Sequence, residues 1–213
     1  VLESADDFEL AVHDLIKKYA IEHQRIVFNG NGYAPEWEEE ARRRGLPILP
    51  SMVDAIPALT TDKAVELFGK FGVFTKTELE SRAEIQYEIY AKAINIEAKT
   101  MIDMATKQFI PAVIKYTTVL AESINQVKAV GALDVSVQMD LLEKASNLLR
   151  DVNSAMKELS KLVGKVEEYP EGRDRAVYCR ENLVPAMENL RKPVDELEML
   201  VDKEMWPMPS YGD

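Results

Sequence analysis

From Thr75 to Val130 the chain reads as helix almost without interruption, for more than fifty residues. At a rise of about 1.5 Å per residue such a helix is on the order of 80 Å long, more than a compact domain of this size can surround. A helix of that length is a strut, and struts place other parts rather than carry out chemistry. The spacing predicts an all-α chain: an antiparallel bundle of three long helices at 75–205, a preceding subdomain of short helices at 1–74, and a tail at 206–213 with two prolines and a glycine.

Thr75-Lys76-Thr77-Glu78 matches a capping box, in which the Thr75 hydroxyl takes the amide of residue 78 and Glu78 reaches back. The apolar stripe then runs through Ile94, Ala98, Met101, Ala105, Phe109, Ala112, Tyr116, Leu120, Ile124 and Val127, a period of about 3.7 that suits a nearly straight helix. Pro111 lies inside this stripe, deletes one backbone bond and crowds the carbonyl four residues back, so a kink is expected near Lys107. Gly131 ends the strut, and Asp134 or Ser136 starts a second helix. Its stripe of Leu142, Ala145, Leu149, Val152, Met156, Leu159, Val163 and Val166 alternates steps of three and four, the repeat of coiled-coil packing. Tyr169-Pro170-Glu171-Gly172 closes it. A third helix carries Ala176, Cys179, Leu183, Met187, Leu190, Val194, Leu197 and Val201, with bends expected at Pro185 and Pro193. Short connections make neighbours antiparallel. The second and third helices are too short to cover the whole strut, so part of it is left to meet the short-helix subdomain, a parent domain or another subunit.

In the short-helix part, Ser4 is the expected N-cap, with Asp6 and Asp7 in the first turn of a helix running to about Arg25. Arg25-Ile26-Val27-Phe28 allows a brief extended segment. Pro35 suits the first position of an acidic helix over 36–44 that Gly45 closes. Pro47, Pro50 and Pro57 leave room for one helical turn at Met52–Ile56, and Thr61 caps a helix over 62–71 that ends at Gly72.

Charge and composition exclude several function classes. Lys and Arg total 26 against 37 Asp and Glu, for a formal charge of -11, so nucleic acid and anionic membrane surfaces are poor partners. The one cysteine, Cys179, rules out an intrachain disulfide, sits on a helix face and fits a reducing compartment. Neither a membrane helix nor a signal peptide is recognised, which gives a cytoplasmic expectation. A start at Val1 without Met, already in helical pattern, reads as a piece of a larger protein.

Catalytic chemistry is thin. His13 and His23 are the only histidines and point about 80° apart on one helix, poor geometry for a shared metal. The acidic run Glu36, Glu38, Glu39 and Glu40 fans around its axis and reads as a solvated face, while Arg42, Arg43 and Arg44 suit the helix C-terminal dipole. No phosphate loop, dinucleotide fingerprint, nucleophile elbow or zinc spacing is present. These residues supply no catalytic, cofactor-binding or metal position. The remaining candidate is the loop Phe28, Asn29, Gly30, Asn31, Gly32 and Tyr33, whose glycines and asparagines let backbone approach a ligand or a neighbouring subunit; a plain structural turn is its simpler reading.

That loop is followed by Glu36-Trp37 and Ala41-Arg42-Arg43-Arg44-Gly45-Leu46-Pro47, and later come Val53-Asp54-Ala55-Ile56-Pro57-Ala58-Leu59, Glu78-Leu79-Glu80-Ser81-Arg82 and Ile94-Asn95-Ile96-Glu97-Ala98-Lys99-Thr100-Met101. Val184-Pro185-Ala186-Met187, Leu190-Arg191-Lys192-Pro193-Val194-Asp195 and the terminal Trp206-Pro207-Met208-Pro209-Ser210-Tyr211-Gly212-Asp213 complete the series. In these strings and their order the chain resembles the C-terminal region of type III glutamine synthetases. The resemblance implies a parent enzyme that makes glutamine from glutamate, ammonia and ATP with magnesium or manganese, through a γ-glutamyl phosphate. It implies that the nucleotide, metal and catalytic residues lie upstream in a β-barrel domain, so no catalytic position carries onto this sequence. It implies partners as well: the parent catalytic domain and neighbouring subunits of a large double ring. The expected role is non-catalytic, in oligomer assembly or subunit positioning. An independent coiled-coil interaction module is the alternative, and an enzyme acting at the Phe28 to Tyr33 loop is a third reading.

Overall fold

The computed structural model describes residues 7–209, and no strand occurs among them. Two compact units part after Pro50.

In the first unit, α1 (Phe8–Glu22) begins on Asp7, whose carboxylate accepts the Leu10 N–H at 3.1 Å. Asp7, expected inside the first turn, is itself the cap; Ser4 and Asp6 lie outside the described residues. A 3₁₀ turn at Gln24–Ile26 takes up the first half of the brief extended segment expected over 25–28, and Val27 in its wake is extended. Helix α2 (Pro35–Arg43) has Pro35 at its start. It closes through Gly45 at φ +71°, which lets the Leu46 N–H reach back to the Ala41 carbonyl at 2.9 Å.

The second unit opens with α3 (Met52–Ala55) on a Ser51 cap, a 3₁₀ turn at Ile56–Thr60, and α4 (Asp62–Lys70) on a Thr61 cap. The strut follows as α5 (Lys76–Met104), a π turn at Ala105–Phe109 and α6 (Ile110–Val130). Its capping box forms: Thr75 Oγ1 accepts the Glu78 N–H at 3.3 Å, and Glu78 Oε2 accepts the Thr75 N–H at 2.7 Å. Those hydrogen bonds to Thr75 hold the Glu78 carboxyl below its ordinary range. Helix α7 (Ser136–Val163) starts at Ser136, whose N–H donates to Asp134 Oδ1 at 2.9 Å, so both candidate start residues take part. The third long helix is α8 (Arg173–Tyr178), a π turn at Cys179–Leu183 and α9 (Val184–Glu198).

Both π turns answer a proline. Pro111 would crowd the carbonyl of Lys107 in a regular helix. Instead the Ile110 N–H donates five residues back, to the Ala105 carbonyl, and the wider turn moves the strained carbonyl aside. Val184 donates to the Cys179 carbonyl in the same way before Pro185. The two segments share one pattern: Ala105 or Cys179, three polar residues, then Phe109-Ile110-Pro111-Ala112 or Leu183-Val184-Pro185-Ala186. Pro193 is carried inside α9, which continues to Glu198.

Helix α7 packs on α6 and α9, while α5 packs on the Ile56–Thr60 turn, α7 and α8. The coiled-coil stripes divide by depth. Ala145, Val152, Leu159 and Val166, spaced by sevens, are buried, whereas Leu142, Leu149, Met156 and Val163 are only partly so. Ala176, Leu183, Leu190 and Leu197 form the matching buried line on the third helix. A helix with neighbours on more than one side buries a wider arc than a two-stranded seam, and so Leu148 is buried where the 3.5 repeat selects Leu149.

The short-helix subdomain was expected to end at residue 74, but the compact units part after Pro50 because residues 51–74 fold onto the long helices. Val53 and Ile56 join the core of Ala83, Tyr87 and Ala176. Arg180 Nη1 donates to both carboxylate oxygens of Asp54 at 2.6 Å, tying α3 to the second π turn.

Candidate interface loop and helix face

The Phe28 to Tyr33 loop is preorganised by its own side chains. The Phe28 ring lies on Trp37 of α2, centroids 4.8 Å apart. That placement folds Phe28 over Gly30, where a Cβ would sit 2.5 Å from Phe28 Cζ, so any larger residue there must push the ring aside. Asn31 Oδ1 accepts the Tyr33 N–H at 3.0 Å, the Asn31 carbonyl accepts the Ala34 N–H at 3.2 Å, and the chain enters α2. Tyr33, at the far side of this turn, is completely exposed, at 101%. A rigid loop that presents a bare tyrosine suits an anchor on a partner surface.

Arg44 locks the loop's base. Its Nη1 donates to the Arg25 and Val27 carbonyls at 2.8 and 2.5 Å, and its Nε to Glu40 at 2.5 Å. Glu40 also takes a bidentate pair from Arg43, and Arg42 bonds Glu38 at 3.2 Å. The hydrogen bonds from Arg43 and Arg44 hold the Glu40 carboxyl down at about 2. Because the folded value is depressed, this support for the loop is fully present above the usual carboxylate range and is lost as pH falls toward about 2. A cleft of about 680 Å³ is lined by Arg25, Arg43, Arg44 and Asn29, but the guanidinium groups of Arg43 and Arg44 are already engaged by Glu40. The role of Arg44 escaped sequence reasoning, since it joins carbonyls 17 and 19 residues away to a helix end.

The other candidates stay apart. His13 is exposed against Asp14, and His23 lies beside Tyr19 at the C-terminal end of α1, ring centroids 6.0 Å apart. Among the described residues no three His, Cys, Asp or Glu side chains gather in a way that could hold a metal ion, and no helix is long and apolar enough to cross a membrane. Cys179 is fully buried, and burial pushes its thiol up to about 11.

The helically spaced apolar residues of α1 are only partly covered: Val12 and Leu15 are half-buried, and the rest stay open. Phe8, Ile16 and Tyr19 are exposed at 51%, 62% and 53%, with Ile26 and Val27 exposed beyond the helix. Among the described residues of the first unit only Ala41 is buried. An amphipathic helix whose apolar residues are at most half-buried has little packing to sustain it. The available signal was the unit's small size and the absence of a second long apolar stripe.

Gly30→Ala tests the loop geometry. The new methyl displaces the Phe28 ring from Trp37, removing an aromatic contact worth about 1 kcal/mol, and the near-ultraviolet circular dichroism of Trp37 should weaken while helix content stays constant.

The fold and this surface define a helical packing domain that presents aromatic and apolar side chains outward. Comparison with known proteins gives the particular family. The profile of the glutamine synthetase C-terminal domain matches residues 11–128. Glutamine synthetase of Butyrivibrio fibrisolvens is 34% identical over 211 residues, which cover 99% of this chain and 30% of that protein. Type-3 glutamine synthetase of Dictyostelium discoideum is 32% identical over 210 residues, 96% of this chain and 29% of that protein. Glutamine synthetase of Bacteroides fragilis (strain YCH46) is 27% identical over 209 residues, 95% of this chain and 28% of that protein. The chain belongs to the glutamine synthetase C-terminal domain family, and it spans about 30% of the length of these relatives.

Proposed function

We propose that this chain serves a type III glutamine synthetase as its non-catalytic assembly and positioning domain, and that ATP, glutamate, ammonia and magnesium or manganese act in the remaining, larger part of the polypeptide in the cytoplasm. The observation that carries this reading is the first unit: its described residues bury only Ala41 yet leave Phe8, Ile16, Tyr19 and Tyr33 bare. Such a unit gains a core only when a larger body covers it. The parent catalytic domain and neighbouring subunits of a homo-oligomeric ring are the bodies this reading assigns. The second unit, with its own core and long helices, would set the spacing.

The test deletes residues 7–209, the first unit with its exposed apolar face included, from the full-length protein and follows mass in solution together with glutamine formation. Loss of the large assembly with weakened synthesis is expected; a truncated protein with unchanged mass and activity overturns the reading. The isolated chain is expected to form no glutamine from glutamate, ammonia and ATP, and measurable turnover by clean protein contradicts the non-catalytic assignment.

A further inference from the structure

Beside the first π turn lies a cavity of about 330 Å³, within the size range of small-molecule sites. Three segments of the second unit wall it: Met101, Met104 and Phe109 from the strut, Leu190 and Val194 from α9, and Trp206 from the C-terminal segment. The π turn that answers Pro111 brings Phe109 against Trp206, ring centroids 5.1 Å apart and planes 23° from parallel. Trp206 Nε1 has no acceptor among the described residues, so stacking is what holds the indole. Two methionines beside a stacked aromatic pair make a wall that adapts to flat apolar groups.

The charges at the mouth, one guanidinium against two carboxylates, sum to a negative balance. Arg191 and Asp195 both line the cavity but neutralise each other through a 3.1 Å hydrogen bond. Glu198, which also lines it, has no ion pair among the described residues. It is the last helical residue of α9, and that helix has no basic residue in its final turn to offset the negative end of its dipole. An unpaired carboxylate, a helix C-terminus and aromatic faces all favour a cation. A carboxylate or phosphate ligand would meet repulsion from each of them.

From this arrangement we infer a binding site for a small organic cation with an aromatic body, of the arylalkylamine class: the ring enters between the methionines and the Phe109–Trp206 pair, and the ammonium group faces Glu198. No step of glutamine synthesis is involved, so the site stands or falls independently of the assembly role.

Trp206 is a built-in reporter. The chain has two tryptophans, and Trp37→Phe in the other unit leaves Trp206 alone. Titrating this 213-residue variant with 2-phenylethylamine should give a saturable change in emission. Adding Glu198→Gln, an exposed substitution that keeps helix content, should weaken binding about fivefold, the scale of one exposed ion pair. The neutral 2-phenylethanol should bind about fivefold more weakly than the amine and be indifferent to Glu198→Gln. No saturable change with the amine, equal binding of 3-phenylpropionate, or an amine affinity untouched by Glu198→Gln would each overturn the assignment.

Discussion

Leu159→Ala is expected to lower the stability of the second unit by about 3 kcal/mol and its thermal midpoint by about 6–10 °C. Leu159 is fully buried on α7, in the line that Ala145, Val152 and Val166 continue. Removing three methylene-sized groups there costs their transfer from water and leaves a cavity that two long helices, fixed along their length, cannot collapse to fill. Leu149→Ala makes the same chemical change on the same helix, one step off that line at a partly exposed position, and should cost about half as much. Ile96→Ala, at a residue 64% exposed, should stay within about 0.5 kcal/mol. Urea unfolding of the three variants measures the order. Equal losses at 149 and 159 would mean that the two coiled-coil rows share the core evenly, which the burial pattern contradicts.

That ordering also marks how far the sequence was legible. The long-helix stripes could be read because periodicity reports which residues face inward, and the buried residues of α6, α7 and α9 fall largely on the expected rows. Which row lies deepest could not be read, because depth depends on how many neighbours surround a helix. Pro111 announced a disruption in the strut, but a proline fixes only a missing donor and a crowded carbonyl. Whether the helix bends or widens into a π turn is decided by tertiary packing, here by the burial of Ala105 and Cys179 at 1% and 0%. The recurrence of the Pro-Ala pattern at 111 and 185 was present in the sequence and is the one local sign that both sites solve the problem alike. The boundary after Pro50 was hidden for a similar reason. Short helices over 51–74 look like their predecessors locally, and it is distant contacts, the ion pair from Asp54 to Arg180 and the burial of Val53 and Ile56, that assign them to the bundle.

The candidate loop was legible as a turn, since two Asn-Gly pairs demand one, but its rigidity rests on contacts no spacing rule supplies: Phe28 over Gly30 and Arg44 beneath Arg25 and Val27. On α1 the pattern reached less far. Its helical spacing of apolar residues was real, yet amphipathicity tells only that a face wants cover, not that this chain provides it.

Ile16→Glu together with Tyr19→Glu on that face is therefore expected to act very differently in two settings. In the isolated chain both side chains are already more than half exposed. Glutamate is a good helix former, so the change in stability should remain within about 0.5 kcal/mol per site. In the full-length protein, if the face is covered as proposed, two carboxylates would enter an apolar contact without partners, at a cost of about 3 kcal/mol or more. That corresponds to at least a hundredfold weaker assembly, visible as dissociation in a dilution series followed by light scattering. Tyr33→Ala should act in the same direction, by removing an anchor rather than adding a charge. A full-length double variant that assembles at the same concentration as the parent would mean that α1 keeps its apolar face in water, and the single observation on which the assembly role rests would then have no mechanical consequence.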